Sequence, residues 1–395
     1  MRIIPRDIKE RINLDALRPF LKSCGISVSG LKSELFDKLE EAIEDGNLPV
    51  VELDRFIVNE IAYGRNRLLY ISSFPESQVE SLKDLSKVKV KLSSNGFETE
   101  NFNMLRRIVR PEEINMSYMD IDQQHGAVNK ISMCFAKTIM VRNTDSEGEA
   151  LPQSEETYYI WVDIIPDQEK IIVKTYPRYD NNRDSSLFKT KDIHTEVETI
   201  VRGVFSLAPV KQNIKNVLYN LFRDMTRKAE EPYRKKIMVL KEDIDLFAKE
   251  CACKLGLPDA NYSIDMPLRL HRLFERALIQ NDFDNYLSYF EGKKGIIERF
   301  DYSDPTGAKV YARSRQEEGI GVADIYFDTK ETIEIQKQLE KLWVTWFYVD
   351  PETNKPIQVR TKFEVFNNYF TIHFLNAYTF EGVENFVLSC FREYE

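Results

Sequence analysis

The stretch that decides the N-terminal fold of this chain is residues 13–45, NLDALRPFLKSCGISVSGLKSELFDKLEEAIED. Apolar residues recur in both halves at spacings of three and four, as they do on one face of an α-helix. These residues are Leu14, Leu17, Phe20 and Leu21 in the first half and Leu31, Leu35, Phe36 and Leu39 in the second. Asn13 or Asp15 can serve as the first N-cap, and Ser29 as the second. The stretch therefore predicts two amphipathic helices joined by a tight extended connection.

Three further features refine this prediction. Pro19 is expected only near the first turn of its helix, because proline lacks the N–H that a later position needs. Gly25 is expected to end that helix, and Gly30 to let the backbone turn before the next one. A unit this small buries little apolar surface, so we expect it to depend on the rest of the chain.

The pattern resembles the SAP family, in which a leucine-bearing helix, a small-residue turn, a Gly-x-Lys segment and a second leucine helix follow one another. The matching elements are Leu17, Leu21, Gly25-Ile26, Ser27 to Ser29, Gly30-Leu31-Lys32, Leu35 and Leu39. In that family the turn and the start of the second helix contact duplex DNA. The resemblance therefore implies DNA contacts from Ser27, Ser29, Gly30 and Lys32, with Arg18 and Lys22 extending them. It covers residues 13–45 only.

Elementary chemistry agrees with this implication, because backbone N–H groups at a helix start, hydroxyls and ammonium groups all bind phosphate oxygens. The alternative is that any two amphipathic helices around a glycine turn give this pattern, with Lys32 a solvated surface charge. The second helix ends in the acidic residues Glu40, Glu41, Glu44 and Asp45. Because these would repel phosphate, contact is expected at the turn alone.

Composition sets broad limits on the 395 residues. An apolar content of 43% is ample for buried cores, and the length suggests two or three domains. The formal net charge of -9 means that any DNA binding must come from local patches. The N-terminus shows no signal peptide and no stretch is long enough to span a membrane, so we expect a cytoplasmic protein. The five scattered cysteines lack a CxxC pair and are expected to be reduced thiols.

The predicted fold class is α+β, with a small helical SAP-like head followed by a mixed body containing antiparallel sheets. Four segments are expected: the head at 1–48, a β-rich α+β domain at 49–205, a mainly helical segment at 206–322 and a C-terminal βαβββα unit at 323–395. Alternation of apolar and polar residues predicts strands at Val88 to Leu92, Ile131 to Val141, Tyr158 to Ile164 and Lys170 to Tyr176. The C-terminal unit is expected to open with a strand at Ile325 to Phe327 and a helix at Lys330 to Leu342.

The most basic region runs from Arg202 to Lys241, with ten Lys or Arg against three acids. Lys211 to Leu257 is predicted to be mostly helix, broken or restarted near Pro232. A second phosphate-contacting surface is one interpretation, since neutralised phosphates release counterions. It would consist of Arg223, Arg227, Lys228, Arg234, Lys235 and Lys236. A solvated helix face is the other interpretation.

Catalytic motifs are scarce. The chain has no phosphate-binding G-x-x-x-x-G-K-[ST] loop, no H-E-x-x-H and no G-x-S-x-G. Asp120 and Asp122 with His125 form the best candidate metal cluster, although an acidic loop explains them as well. Asp163, Lys170 and Lys174 resemble the metal-dependent nuclease arrangement of an acid on one strand and a lysine on the next. That match lacks its second acid, because Ile172 occupies the position. No metal or cofactor is expected.

We therefore expect a non-enzymatic DNA-binding adaptor or sensor, whose head docks on double-stranded DNA and whose body recruits a protein partner. One alternative is a divergent metal-dependent nuclease using Asp120, Asp122, His125 and Asp163. Another is a protein-interaction module without nucleic acid. By analogy alone, a bacterial defence system against foreign DNA would suit the adaptor. The sequence indicates no oligomeric state.

Overall fold

The computed structural model describes residues 3–65, 67–141, 154–177, 190–257, 265–282, 294–303, 309–313, 333–334, 336–351 and 353–395. The fold is α+β, with N-terminal helices followed by antiparallel strands, which confirms the predicted class. The chain forms two compact units, Met1–Gln212 with Glu364–Phe386 and Asn213–Phe363 with Val387–Glu395. The finer division into four segments stays a prediction.

Unit 1 contains the head and most of the strands. Its helices are α1 (Arg6–Arg11), α2 (Leu14–Ser23), α3 (Lys32–Glu44), α4 (Val50–Ala62), α5 (Val79–Lys83), α6 (Leu85–Ser94) and α7 (Thr190–Phe205). Its strands are β1 (Leu68–Ser73), β2 (Phe102–Asn103), β3 (Asn115–Gln124), β4 (Ala127–Val141), β5 (Ser154–Ile165), β6 (Lys170–Thr175) and, late in the chain, β11 (Phe370–Phe374). They follow the order β2-β3-β4-β5-β6-β1-β11, and each neighbouring pair is antiparallel.

Both faces of the unit 1 sheet are covered. Phe135, Tyr158 and Val162 lie on the face that packs against α5, α6 and α7. The intervening residues, such as Ala136 and Tyr159, lie on the face that packs against α1 to α4. Strand side chains alternate between faces, so the β4–β5 pair supplies both cores. The head therefore shares its core with the sheet, as expected for so small a unit.

The local signals of α2 act as predicted, with one exception, whereas α3 departs from prediction at its start: its N-cap is Leu31 rather than Ser29, and Leu31 is 70% exposed rather than on the apolar face. Asn13 Oδ1 accepts the Asp15 N–H at 3.1 Å, and Gly25 ends α2 at a φ of 74°. The Ile26 N–H reaches back to the Leu21 carbonyl at 2.9 Å, a C-terminal cap of the Schellman type. Pro19 lies in the second turn of α2 rather than near its start, so that part of the prediction was wrong. The helix continues through it on an exposed face.

The predicted strand at Val88 to Leu92 is a helix, α6. Asp84 caps it, with Oδ1 accepting the N–H groups of Ser86 at 2.9 Å and Lys87 at 3.3 Å. Val88 and Leu92 are buried one turn apart, while Val90 is 65% exposed. The alternation of apolar and lysine residues was misleading, because only the four-residue spacing points into the core.

The predicted hairpin is present. Strands β5 and β6 are joined by a 3₁₀ turn at Pro166–Gln168, and Asp163 lies opposite Ile172 in their register. Strand β4 likewise covers the predicted Ile131 to Val141.

Unit 2 is built from long helices and a smaller set of strands. They are α8 (Ile214–Met238), α9 (Lys241–Lys254), α10 (Met266–Asn281), β7 (Gly295–Ser303), β8 (Lys309–Arg313), β9 (Lys341–Val349) and β10 (Pro356–Val365). The strands follow the order β10-β9-β7-β8, with β7 antiparallel to β8 and β9. The last helix is α11 (Glu381–Arg392), and the unit boundary falls within it.

Two expectations for this part of the chain need correction. Helix α8 continues through Pro232 without a break, although a break was predicted there. Of the predicted helix Lys330 to Leu342, residues 330–332 and 335 lie outside the described residues. Residues 333, 334 and 336 are helical, but residues 337–340 are not and the last two belong to β9, so the helix was predicted too long. The predicted strand at Ile325 to Phe327 also lies outside the described residues.

Candidate nucleic-acid interface

The head turn, residues 27–32, brings together four of the residues that the resemblance implicated. The Ser27 and Ser29 hydroxyls are exposed and 3.0 Å apart. Gly30 has a φ of 120°, a conformation that side chains rarely adopt, and a Cβ there would overlap the Glu34 carboxylate. The turn leads directly into α3, whose first N–H groups have no acceptor within the helix. It therefore presents hydroxyls and a helix N-terminus to solvent.

The lysine of the turn is less available than the sequence suggested. Lys32 is half-buried, and its ammonium group donates to the Glu10 carbonyl at 3.1 Å. Burial lowers the pKa of Lys32, and the positive charge of Arg65 lowers it further. Lys38, which sequence analysis missed, donates to the Ser29 carbonyl at 2.7 Å and so links the turn to α3.

A carboxylate also lies at this helix start. Glu34 accepts the Leu31 N–H at 2.8 Å, in the manner of a capping box. This anion repels phosphate on its side of the turn. The surfaces at which a phosphate could contact the head are therefore the hydroxyl side of the turn and the adjoining surface of α2.

Helix α2 carries two exposed cations on this surface. Arg18 and Lys22 are both exposed and four residues apart, so they lie on the same side of the helix. Neither has a carboxylate partner among the described residues. They are exposed cations of the head that the described residues leave without an ion pair.

The basic residues of α8 differ in how available they are for binding phosphate. Arg223 and Arg227 are exposed one turn apart, and Lys236 lies over the Tyr233 ring at 5.6 Å. Lys235 pairs with Glu231 at 3.1 Å. The side chain of Lys228 lies outside the described residues.

Arg234 is committed to acids rather than open to phosphate. Its guanidinium lies 3.1 Å from Glu230, 3.2 Å from Glu275 and 3.6 Å from Glu334. This geometry argues against a DNA contact and for a clamp between α8 and α10. The head residues belong to unit 1 and the α8 residues to unit 2.

The proposed metal cluster finds no support among the described residues, which hold no group of three or more His, Cys, Asp or Glu placed for a metal ion. Asp120 accepts from Asn101 at 2.7 Å, and Asp122 from Asn129 at 2.7 Å. His125 is exposed in the β3–β4 turn at a φ of 53°. Asparagine side chains therefore donate hydrogen bonds to both carboxylates.

The nuclease-like pair does meet a second acid, from a distant part of the chain. Lys174 Nζ lies 2.8 Å from Asp163 Oδ2 and 2.5 Å from Oε1 of Glu384 on α11. Asp163 Oδ1 also accepts from Ser132 at 2.7 Å and from the Trp161 indole at 2.9 Å. All three charged side chains are at most 4% exposed. They form a buried ion triad, Asp163–Lys174–Glu384.

The triad fixes the charge of its members. Burial acts to lower the pKa of Lys174, but the two carboxylates outweigh it and the pKa is raised. Burial favours neutral Asp163, yet the Lys174 ammonium lowers that pKa below its usual value. Burial raises the pKa of Glu384 despite Lys174. The stable arrangement is therefore an ammonium held between the two acids.

Unit 2 exposes a large apolar surface on its helices. A cleft of about 500 Å³ is lined by Lys236, Ile237, Leu240, Asp243, Ile244, Phe247, Phe274 and Leu278. Phe247 is 58% exposed, and Val239 beside the cleft is 82% exposed. Clustered apolar exposure of this kind is typical of protein contact sites.

No protein-family model and no curated protein matches this chain. The SAP resemblance therefore stands on its residues alone. Among the helices that the structure describes, none is both long and apolar enough to cross a bilayer.

Replacing Lys174 with methionine should destabilise the protein by about 3–5 kcal/mol, because two buried acids lose their cation. Urea unfolding of both proteins measures this difference. Lys170→Met, a partly buried lysine on the same strand, is the matched control and should cost less than about 1 kcal/mol. Equal losses in the two variants would show that the triad contributes little.

Proposed function

We propose that this protein is a DNA-binding adaptor whose head docks on double-stranded DNA. The observation that carries the proposal is the exposed head turn, with its paired hydroxyls leading into the N-terminus of α3, where Glu34 accepts only the Leu31 N–H. Such a turn contacts backbone phosphates and positions the duplex without reading its sequence. Arg18 and Lys22 on α2 add positive charge beside it.

The acidic character of the chain restricts where DNA can bind. Glu34 at the turn and the acids at the end of α3 disfavour phosphate on that side. We therefore place the contact on the hydroxyl side of the turn and on the exposed side of α2. Arg223 and Arg227 form a second, independent candidate surface in unit 2.

The partner-recruiting role is supported by the apolar cleft between α8, α9 and α10. Its exposed Phe247 and Leu240 resemble the apolar core of a protein interface more than a solvated helix surface. A cytoplasmic location and a role in defence against foreign DNA remain part of the proposal on sequence grounds.

Neutralising Arg18 and Lys22 together, as R18Q/K22Q, should weaken duplex binding about tenfold at low salt, since two phosphate contacts are lost. The slope of log affinity against log salt should fall by about 1 to 2. Fluorescence anisotropy with a labelled duplex across a salt series measures both quantities.

Two matched pairs complete this experiment. K249Q/K254Q removes two exposed cations of α9 and controls for net charge. R223Q/R227Q tests the α8 surface by the same change. If R18Q/K22Q binds no more weakly than K249Q/K254Q, the head is not the DNA-binding site.

A metal-dependent nuclease is the second candidate, and one observation favours it. The triad places the second acid, Glu384, beside Asp163 and Lys174, and Glu384 Oε2 accepts no hydrogen bond from a described residue. A nuclease needs two such oxygen ligands for its metal ion. The burial of all three side chains and the ammonium between the acids argue against it.

The adaptor account predicts that plasmid DNA stays intact with the protein in Mg²⁺ or Mn²⁺, because the two acids are sealed from solvent. Agarose gel electrophoresis after prolonged incubation reports cleavage. Plasmid degradation would establish the nuclease instead, provided that Asp163→Asn abolishes it and Asp122→Asn does not. Loss with Asp120→Ala would assign the site to β3.

A further inference from the structure

Three arginines of unit 1 lie near one tyrosine, Tyr176, which directly follows β6. The guanidinium carbon of Arg11 lies 4.4 Å from the centroid of the Tyr176 ring, and that of Arg65 lies 5.8 Å from it. Arg67 immediately precedes β1, whose Leu68 pairs with Thr175, so Arg67 lies across from Tyr176. We call these three residues the arginine cluster.

Much of the hydrogen-bonding capacity of the cluster is unfilled. Arg11 is 5% exposed, and none of its three guanidinium nitrogens donates to a described residue. Arg67 is fully buried, and it donates through Nη2 to the Glu60 and Ile61 carbonyls at the end of α4. Its Nε and Nη1 have no described acceptor. Buried charged donors favour an acceptor, so this arrangement is suited to an anion.

The acids nearby do not fill this role. Asp7 accepts the Thr157 N–H at 2.8 Å and its hydroxyl at 2.7 Å. Glu384 belongs to the triad. Glu60 is buried, which raises its pKa to about 7, and its carboxyl accepts from Tyr378 at 3.4 Å. Asp7 and Glu384 are thus engaged elsewhere, and burial disfavours the charged form of Glu60, although Arg67 and Arg11 act against it.

The cluster is graded from solvent to core. Arg65 is exposed and has a φ of 65°, whereas Arg11 and Arg67 are buried. The Tyr159 hydroxyl, also buried and without a described partner, adds a donor on the Arg11 side, with the Arg11 guanidinium 5.5 Å from its ring. The exposed arginine can capture an anion that the buried donors then hold.

We propose that Arg11, Arg65 and Arg67 bind a phosphate monoester. A monoester presents three terminal oxygens and about two negative charges, which suit several guanidinium donors. A backbone diester has only two free oxygens and one charge, so this site differs from the head turn. The monoester can belong to a mononucleotide or to a phosphorylated nucleic-acid end.

Calorimetric titration of the full chain with inorganic phosphate, AMP, and one oligonucleotide carrying either a 5′-phosphate or a 5′-hydroxyl tests this proposal. Saturable binding of the phosphate-bearing probes is expected. AMP binding without oligonucleotide binding identifies a nucleotide source, and preference for the 5′-phosphate over the 5′-hydroxyl identifies a nucleic-acid end.

Variants assign the site. Arg65→Gln changes an exposed side chain and should weaken phosphate binding about tenfold, since one charged hydrogen-bonding group is lost. Arg11→Lys retains the positive charge but loses the forked donor geometry of the guanidinium group, and it should also weaken phosphate binding. Arg107→Gln, another exposed arginine of unit 1, should have no effect. No saturable binding of any phosphate probe, or equal binding by Arg65→Gln and Arg107→Gln, would overturn the proposal whatever the outcome at the head turn.

Discussion

The structure of unit 1 depends on one constraint, the need of the buried Lys174 ammonium for anionic partners. Removing an ammonium group from water costs several kcal/mol unless nearby charges and hydrogen bonds compensate. Asp163 on the neighbouring strand and Glu384 on α11 provide that compensation. The ion triad therefore ties the β5–β6 register to a helix more than two hundred residues later. It also fills the sheet face that the head helices cover, with the Tyr63 ring 4.2 Å from Lys174.

This arrangement separates the internal charges of the protein from its external ones. The two acids of the triad compensate the Lys174 ammonium, and all three side chains are closed to solvent, which makes a structural role the simplest explanation. The arginine cluster on the same side of the sheet is not neutralised in this way. Arg18 and Lys22 on α2 are exposed cations beside the head turn, as Arg223 and Arg227 are on α8. An anionic ligand would therefore bind at the few cationic groups that are exposed to solvent or lack a paired acid.

Sequence periodicity predicted the elements that bury one regular stripe, including the two head helices and the β5–β6 hairpin. It failed for α6, because the apolar residues of Val88 to Leu92 fit the strand period as well as a helical spacing of four, and the Asp84 cap that marks the helix was overlooked. It also failed at Pro19 and Pro232, where the helices tolerate proline. The partner of Lys174 could not be predicted, since Glu384 carries no local signal of a contact so distant in sequence. For the same reason Arg11, Arg65 and Arg67 were missed as a cluster: only the register of β1 and β6 and the packing of α1 bring them to one tyrosine.

The most direct test of the account is hydrogen–deuterium exchange of the full chain with and without duplex DNA at low salt. Exchange reports the solvent protection of backbone amides segment by segment. If the head docks on DNA through its turn, the peptides that cover residues 27–34 and helix α2 should exchange more slowly when DNA is present. Unchanged exchange there, under conditions where the duplex is bound, would contradict the account and assign DNA binding to another surface.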